Sequence, residues 1–159
     1  MKLDCIFMNE KEQEERAKVV KEALSWQKTP YRHMARVKGA GADCLTFMAC
    51  VFENCGLIEK IEIPFYSKDW MNHRSAERYV EGLLQYTKEI STPPLPGDII
   101  VWKVGRCFSH GALVIDYPRI IHAQAGVGVM QENAENAAWL THEKNGETRQ
   151  RRVFSYWGK

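Results

Sequence analysis

A cysteine at the start of an apolar segment is the first feature of this sequence that could do chemistry. The glycine-rich run Gly39–Ala42 ends at Asp43, and Leu45–Cys55 is a nearly unbroken apolar stretch. Asp43 has the side chain of a helix N-cap, which predicts Cys44 as the first helical residue. Unpaired backbone N–H groups and the positive end of the helix dipole meet there and favour a thiolate. The pattern predicts a nucleophilic thiol with a pKa below the ordinary value of about 8.5.

Two histidines on neighbouring predicted strands could supply the base that such a thiol requires. His110 lies within Phe108–Ile115, and His122 lies in the strand that a tight turn brings back beside it. Facing side chains on adjacent antiparallel strands are about 4.5–5.5 Å apart. Imidazole is also the side chain whose pKa is nearest neutrality. We predict a relay in which His110 takes the proton of Cys44 and His122 orients His110.

Each of these three residues, taken alone, is more often structural than functional. A lone cysteine in an apolar helix is usually part of the core, and the combination of the three is what favours catalysis. A metal site built from His110 and His122 is the other chemical interpretation, but it lacks a third patterned ligand, so no metal or cofactor is predicted. The remaining histidines lie in polar surroundings and are expected to be solvated: His33, His73 and His142.

The hydrophobic periodicity predicts the elements that hold these residues. A first helix begins at the N-cap Asn9, a central one over Cys44–Asn54 is apolar on nearly every side, and a third covers Ser67–Tyr86. After the proline-rich Ser91–Gly97 the period becomes strand-like. The predicted strands are Asp98–Val104, Phe108–Asp116, Arg119–Gln124, Val127–Glu132 and Arg149–Tyr156, with a short helical turn within Asn133–His142. The fold class is α+β, with N-terminal helices packed on an antiparallel sheet of about five strands.

Composition bounds the class of protein. The chain has 159 residues without a low-complexity linker, so residues 1–159 are expected to form a single domain. A formal charge of +2 gives no case for nucleic acid or an anionic membrane as partner. Five cysteines without a CxxC pair argue against a disulfide framework. The N-terminal apolar run is short and carries Asp4, which predicts no signal peptide, no membrane span and a cytoplasmic protein as synthesised.

Five separated motifs resemble those of NlpC-like cysteine peptidases, which belong to the papain-like superfamily. In chain order they are Pro30-Tyr31, Gly41–Cys44, Leu95–Ile100, Ser109–Val114 and Ile121–Ala123. The resemblance implies a papain-like fold and an enzyme that cleaves amide bonds in cell-wall peptides, typically between D-glutamate and a diamino acid. It also implies Cys44 as nucleophile, His110 as base, His122 as orienting residue and Tyr31 as a catalytic tyrosine near the nucleophile.

The sequence departs from the common family pattern after the nucleophile. Leu45-Thr46 replaces the usual Ser-Gly, a form that is similar to members encoded in phage tails and related transfer systems. This implies phage-tail or secretion components as partners, and a site of action on a virion or at a cell wall. Arg36, Asp43 and Ser109 are expected to contact the substrate. Two alternatives stay open: an acyltransferase or amidase acting on another substrate, and a non-catalytic assembly protein.

Overall fold

The computed structural model describes residues 8–70 and 77–158 of the chain. Its helices are α1 Glu10–Ser25, α2 Cys44–Asn54, α3 Arg78–Leu84 and α4 Ala138–Thr141. Its strands are β1 Arg36–Val37, β2 Gly41–Ala42, β3 Lys88–Ile90, β4 Ile99–Val104, β5 Cys107–Asp116, β6 Arg119–Gln124, β7 Gly128–Asn133 and β8 Arg151–Ser155. This arrangement confirms the predicted α+β fold: α1, α2 and α3 precede every strand of the large sheet, and α4 lies between β7 and β8.

The large sheet has six strands in the order β3-β8-β4-β5-β6-β7, and every neighbouring pair is antiparallel. All five predicted strands lie in it. The sixth strand, Lys88–Ile90, is paired only with β8. It has three residues, two of them charged, so it is too short and too polar to show the alternating hydrophobic pattern of a strand. A separate two-stranded ribbon, β1 with β2, lies in the glycine-rich segment before α2, where the sequence predicts a loop.

Helix α2 lies at the centre of the larger of two cores, as its apolar sequence predicts. Phe47 and Val51 are fully buried there, with Val19 of α1 and Leu113 of β5. Burying one such side chain contributes about 1.5–3 kcal/mol, so the helix is held by packing on all sides. The opposite face of the sheet carries a smaller core centred on Trp102. The sheet is therefore buried on both faces around the strands that carry the two histidines.

The predicted helix over Ser67–Tyr86 is wrong in its extent. Residues 71–76 lie outside the described part of the chain, and the helix that follows, α3, covers only Arg78–Leu84. The preceding segment from Ile61 to Ser67 has no regular structure and includes Pro64, whose ring restricts helix formation. This segment and α3 together lie over the N-terminal end of α2. No helix in the described residues is long and apolar enough to cross a membrane.

Candidate active site

Cys44 is the first residue of α2, and its position is fixed by the cap that precedes it. Asp43 Oδ1 accepts hydrogen bonds from the backbone N–H groups of Leu45 at 3.0 Å and Thr46 at 2.9 Å. The Thr46 hydroxyl accepts in return from the N–H of Asp43 at 2.9 Å, which completes a capping box. The predicted N-cap is confirmed. Cys44 as a whole is half-buried at this helix end.

The thiol lies against an open edge of strand β5. Val114 exchanges backbone hydrogen bonds with Gly97 and Asp98 just before β4, so Gly111, three residues earlier in β5, directs its backbone N–H and carbonyl toward β6. Strand β6 pairs with β5 only from Leu113 onward, which leaves this part of the edge free. The Cys44 thiol occupies it and donates to the carbonyl oxygen of Ser109 at 3.7 Å. The sulfur therefore contacts the residue before His110, the predicted base, and not the His110 ring, whose neighbours are Trp102, His122 and Trp139.

That base, His110, is linked to two further side chains in a line. Its Nε2 is 2.7 Å from Nδ1 of His122, and Nε2 of His122 is 2.8 Å from Oε2 of Glu132 on β7. The ring of Trp139 stacks on His122, with centroids 5.5 Å apart, and its Nε1 donates to Glu132 at 3.3 Å. The predicted contact between His110 and His122 is confirmed. Trp139 covers the chain of hydrogen bonds and keeps water from competing for it.

Glu132 is the residue of this line that sequence reasoning did not find. It lies two residues after Met130, the register partner of His122, so both side chains project from the same face of the sheet. The sequence shows the turn at Gly126 and the alternating pattern of β7. Only the β6–β7 register, however, shows that Glu132 lies beside His122. Burial lowers the pKa of His122, and the Glu132 carboxylate opposes this effect. Glu132 thus favours the protonated form of the ring that it contacts.

The carboxylate also fixes which nitrogen of each ring carries the proton. An ionised carboxylate only accepts hydrogen bonds, so Nε2–H of His122 donates to Glu132. Nδ1 of His122 then accepts from Nε2–H of His110. This assignment leaves Nδ1 of His110 without a proton and able to act as a base.

Burial determines the protonation of both partners in the resting protein. It lowers the pKa of His110 to about 3, and His122 and Arg149 act in the same direction. It raises the pKa of Cys44 to about 12, and the Asp43 carboxylate adds to that increase. Thiol and imidazole are therefore both neutral at pH 7. The predicted lowering of the thiol pKa is wrong, because burial outweighs the helix end, and the thiol donates to a carbonyl instead of to the His110 ring.

A cleft of about 410 Å³ opens above the thiol. Tyr31 lines it beside Cys44, as predicted, because its backbone is bridged to Ala42 of β2. Aromatic side chains from the segment after α2 form much of the remaining wall, and Phe65 at the rim is 81% exposed. The cleft is lined by Tyr31, His33, Asp43, Cys44, Leu45, Ile63, Pro64, Phe65, Tyr66, Ser67, Lys68, Trp70, Arg78, Tyr79, Glu81, Gly82, Gln85 and Ser109.

Arg36, which the sequence predicts as a substrate contact, lies outside the cleft lining. Its guanidinium donates to the carbonyl oxygen of Ile61 at 2.7 Å and to Oε1 of Glu53 at 2.5 Å. Glu53 in turn accepts from the backbone N–H of Ile61 at 2.8 Å. The guanidinium therefore ties β1 to the end of α2 and to the chain that follows it. The predicted contact between Arg36 and substrate is not supported by this position.

The other two predicted substrate contacts lie in the cleft wall, with their polar atoms already engaged. Asp43 is 1% exposed, and its Oδ2 accepts from the backbone N–H of Met34 at 2.8 Å and from the hydroxyl of Tyr66. The Ser109 hydroxyl donates to the carbonyl oxygen of Val104 at 2.9 Å. Asp43 is thus a structural cap, and Ser109 meets the cleft mainly through its backbone.

His33 is placed differently from the sequence-based expectation of a solvated side chain. Its Nε2 is 2.7 Å from the carbonyl oxygen of Tyr66, to which it donates, and its Nδ1 is 3.7 Å from Oδ2 of Asp43. The His33 ring also packs edge-on against the Tyr66 ring, with centroids 4.9 Å apart. His33 therefore holds the aromatic wall onto the capped end of α2. The predicted His73 lies outside the described residues, and His142 is exposed, as expected.

Comparison with known proteins identifies the family. Residues 28–146 match the model of the NlpC/P60 family. No curated protein matches the sequence. The NlpC/p60 domain of the peptidoglycan hydrolase SagA has 19% identity and a TM-score of 0.57 over 87% of this chain and 97% of that one. The peptidoglycan hydrolase RipB from Mycobacterium tuberculosis has 14% identity and a TM-score of 0.59 over 96% and 70% of the two chains.

A third solved structure has a similar fold. NlpC1 from Trichomonas vaginalis has 15% identity and a TM-score of 0.60, and the match spans 91% of this chain but 45% of that one. At such low identities the structural matches show a shared fold alone. The family assignment rests on the sequence match over residues 28–146. The chain is a member of the NlpC/P60 family.

Proposed function

We propose that this protein is a thiol hydrolase that cleaves an amide bond in peptidoglycan stem peptides, between D-glutamate and a diamino acid. The observation that supports it is the contact of the Cys44 thiol with the residue before His110, together with the line of hydrogen bonds through which His122 and Glu132 orient that base. The substrate class is supported by the family and by the similar solved structures, two of which are peptidoglycan hydrolases.

The reaction begins when His110 Nδ1 takes the proton of Cys44 and the sulfur attacks the amide carbonyl carbon. The backbone N–H of Cys44 and the hydroxyl of Tyr31 stabilise the oxyanion that forms. His110 then gives its proton to the leaving amine, which breaks the C–N bond and leaves a thioester. Water, activated by His110, hydrolyses the thioester and restores the thiol. His122 and Glu132 hold the imidazole in the required tautomer throughout.

Two exposed cations at the cleft, Lys68 and Arg78, replace Arg36 as partners for the substrate carboxylates in this proposal. A guanidinium binds a carboxylate in a bidentate manner, so Arg78 is the stronger candidate. We expect Arg78→Gln to raise KM for a stem peptide with little change in kcat, because the contact is made in both ground and transition states.

The test is incubation with a defined stem peptide followed by mass spectrometry. We expect one cleavage at the γ-glutamyl amide, abolished by Cys44→Ala and retained in the matched cysteine control Cys50→Ala, whose thiol is buried in the core. Cleavage of ordinary α-peptide bonds instead would contradict the cell-wall assignment while keeping the thiol mechanism.

Acyl transfer is the second candidate function, and the apolar character of the cleft wall favours it. Leu45 and Trp70 line the cleft beside polar groups, and an apolar wall of this kind limits the access of water to a thioester. The same assay with an added primary amine separates the two: a transferase forms the new amide, and a hydrolase releases the free acid.

A further inference from the structure

The buried hydroxyl of Tyr79 is the one group in the cleft whose hydrogen bonding the resting site leaves unexplained. Tyr79 is the second residue of α3 and is 5% exposed. Its hydroxyl is the only fully buried side-chain polar atom in the described residues that has no hydrogen-bond partner. A buried donor without an acceptor costs free energy, so such a group in a native site calls for a functional explanation.

The surroundings of Tyr79 aim this hydroxyl at the nucleophile. A Cβ on Gly111 would collide with the hydroxyl oxygen and with Cε of Met48, so the absence of a side chain at Gly111 creates the space that Tyr79 fills. Gly111 is also the residue whose backbone N–H favours the Cys44 thiolate, and the Tyr79 hydroxyl favours the thiolate in the same way. The Cys44 thiol contacts the carbonyl oxygen of Ser109, two residues before Gly111, so the hydroxyl and the sulfur meet at the same short stretch of β5 in the cleft wall.

The neighbouring tyrosines do not duplicate this position. The hydroxyl of Tyr66 is engaged with Asp43, and Tyr31 is only half-buried in the cleft wall. The titratable groups that face the sulfur are Asp43, Tyr31, Tyr66 and Tyr79. Among the hydroxyls of this set, Tyr79 combines full burial with a free donor.

We propose that Tyr79 is a catalytic residue whose hydroxyl donates a hydrogen bond to the sulfur of Cys44 once the thiol has lost its proton. In this step the S–H bond breaks, the proton goes to Nδ1 of His110, the electron pair stays on sulfur, and the O–H bond of Tyr79 stays intact. The donor is unpaired in the resting thiol and becomes paired in the reactive thiolate, so its interaction lowers the barrier instead of stabilising the ground state. The catalytic importance of this step rests on the proposed thiol chemistry.

The test measures thiol reactivity directly and needs no substrate. Alkylation of Cys44 by iodoacetamide is followed across a pH series by peptide mapping in the wild type, in Tyr79→Phe and in Tyr86→Phe. Tyr86 is 39% exposed near the same helix and serves as the matched control. We expect Tyr79→Phe to shift the pH dependence of alkylation upward by about one pH unit, and Tyr86→Phe to leave it unchanged. On the substrate, kcat/KM of Tyr79→Phe should fall by roughly 10- to 100-fold.

A stability measurement separates this role from a structural one. Because Tyr79→Phe removes an unpaired buried donor, we expect its Tm to equal or exceed that of the wild type. Gly111→Ala is a second variant, since it displaces the hydroxyl and keeps the phenol, and we expect the same upward shift in alkylation. Identical alkylation profiles in the wild type and both variants would overturn the proposal. If the wild type cleaves no stem peptide but the shift is present, the proposed substrate fails and the assignment of Tyr79 stands.

Discussion

At the scale of single residues, the site works through groups whose protonation is set by burial and by the partner beside them. His110 and the Cys44 thiol are both neutral in the resting protein, and His122 and Glu132 orient the His110 ring. In the proposed mechanism, proton transfer from Cys44 to His110 accompanies attack on the substrate, so the tautomer of His110 matters as much as its pKa.

Glu132→Gln tests the outer end of the hydrogen-bond line. An amide can donate as well as accept, so it no longer forces His122 to place its proton toward position 132. We expect kcat to fall by roughly 10- to 100-fold with little change in KM, less than the 10²–10⁴-fold that a general base contributes. Steady-state kinetics on the stem peptide measures this. The exposed neighbour Glu135 supplies the control, since an equal loss in Glu135→Gln would contradict a specific role.

The lowered pKa of His110 predicts how stability depends on pH. In the unfolded chain this histidine takes up a proton below about pH 6.5, whereas the folded protein keeps it neutral down to about pH 3. Between these values the unfolded state binds more protons, so the free energy of unfolding decreases as the pH falls, by up to about 1.4 kcal/mol per pH unit for one proton. Urea titrations at pH 7 and pH 5 should show a smaller decrease in His110→Asn than in the wild type. His142→Asn, at an exposed position, should behave as the wild type does.

At the scale of elements, the nucleophile depends on how the first turn of α2 is held. Oδ1 of Asp43 accepts hydrogen bonds from the backbone of that first turn. Its Oδ2 accepts from the backbone N–H of Met34 and from the hydroxyl of Tyr66 in the cleft wall. Met34 has a positive φ of 60°, a conformation that costs a non-glycine residue free energy and that the bond to Asp43 compensates. One carboxylate therefore joins the loop before α2, the helix and the cleft wall.

Asp43→Ala should be more destabilising than the loss of an ordinary cap. An N-cap contributes typically about 1 kcal/mol, and this substitution also leaves the buried donors of Met34 and Tyr66 unpaired. We expect the free energy of unfolding to decrease by about 2–4 kcal/mol in urea denaturation. Asn9→Ala removes the N-cap of α1, which accepts only from Glu12 N, and should cost about 1 kcal/mol. Equal losses in the two variants would show that Asp43 acts as a simple cap.

At the scale of the whole molecule, a buried ion pair fastens α1 to the sheet. Arg16 is 5% exposed, and it donates to Oδ1 of the fully buried Asp98 at 2.9 Å and to the carbonyl oxygen of Pro96 at 2.8 Å. Asp98 Oδ2 accepts from the backbone N–H of Leu95 at 2.9 Å. The motif Leu95–Ile100 is thus the turn that sets the start of β4, and α1 is locked against it.

Arg16→Ala should leave the Asp98 charge buried without its partner. Breaking a buried pair in this way costs about 3–5 kcal/mol, which calorimetry or urea denaturation detects. The double variant Arg16→Met with Asp98→Asn removes both charges and should recover a large part of that loss. A double variant no more stable than Arg16→Ala would contradict the explanation by an unpaired charge. The predicted phage-tail or secretion partners and the site of action stay predictions at this scale.

The sequence by itself determined those features that local rules control. Asn9 and Asp43 cap their helices because a side-chain oxygen two or three residues from an N–H is a local arrangement. The strands from Ile99 onward follow from alternation and turns, and the proximity of His110 and His122 follows from the hairpin between them.

Only the tertiary structure decided what depends on register and burial. Glu132 belongs to the site because the β6–β7 register places it beside His122. Arg36 lies outside the cleft lining because its guanidinium is bound to Glu53. The protonation of Cys44 also differs from expectation, since the helix end acts locally whereas desolvation comes from every element packed around the sulfur. Such effects sum over contacts between segments distant in the chain, and no local pattern in the sequence records that sum.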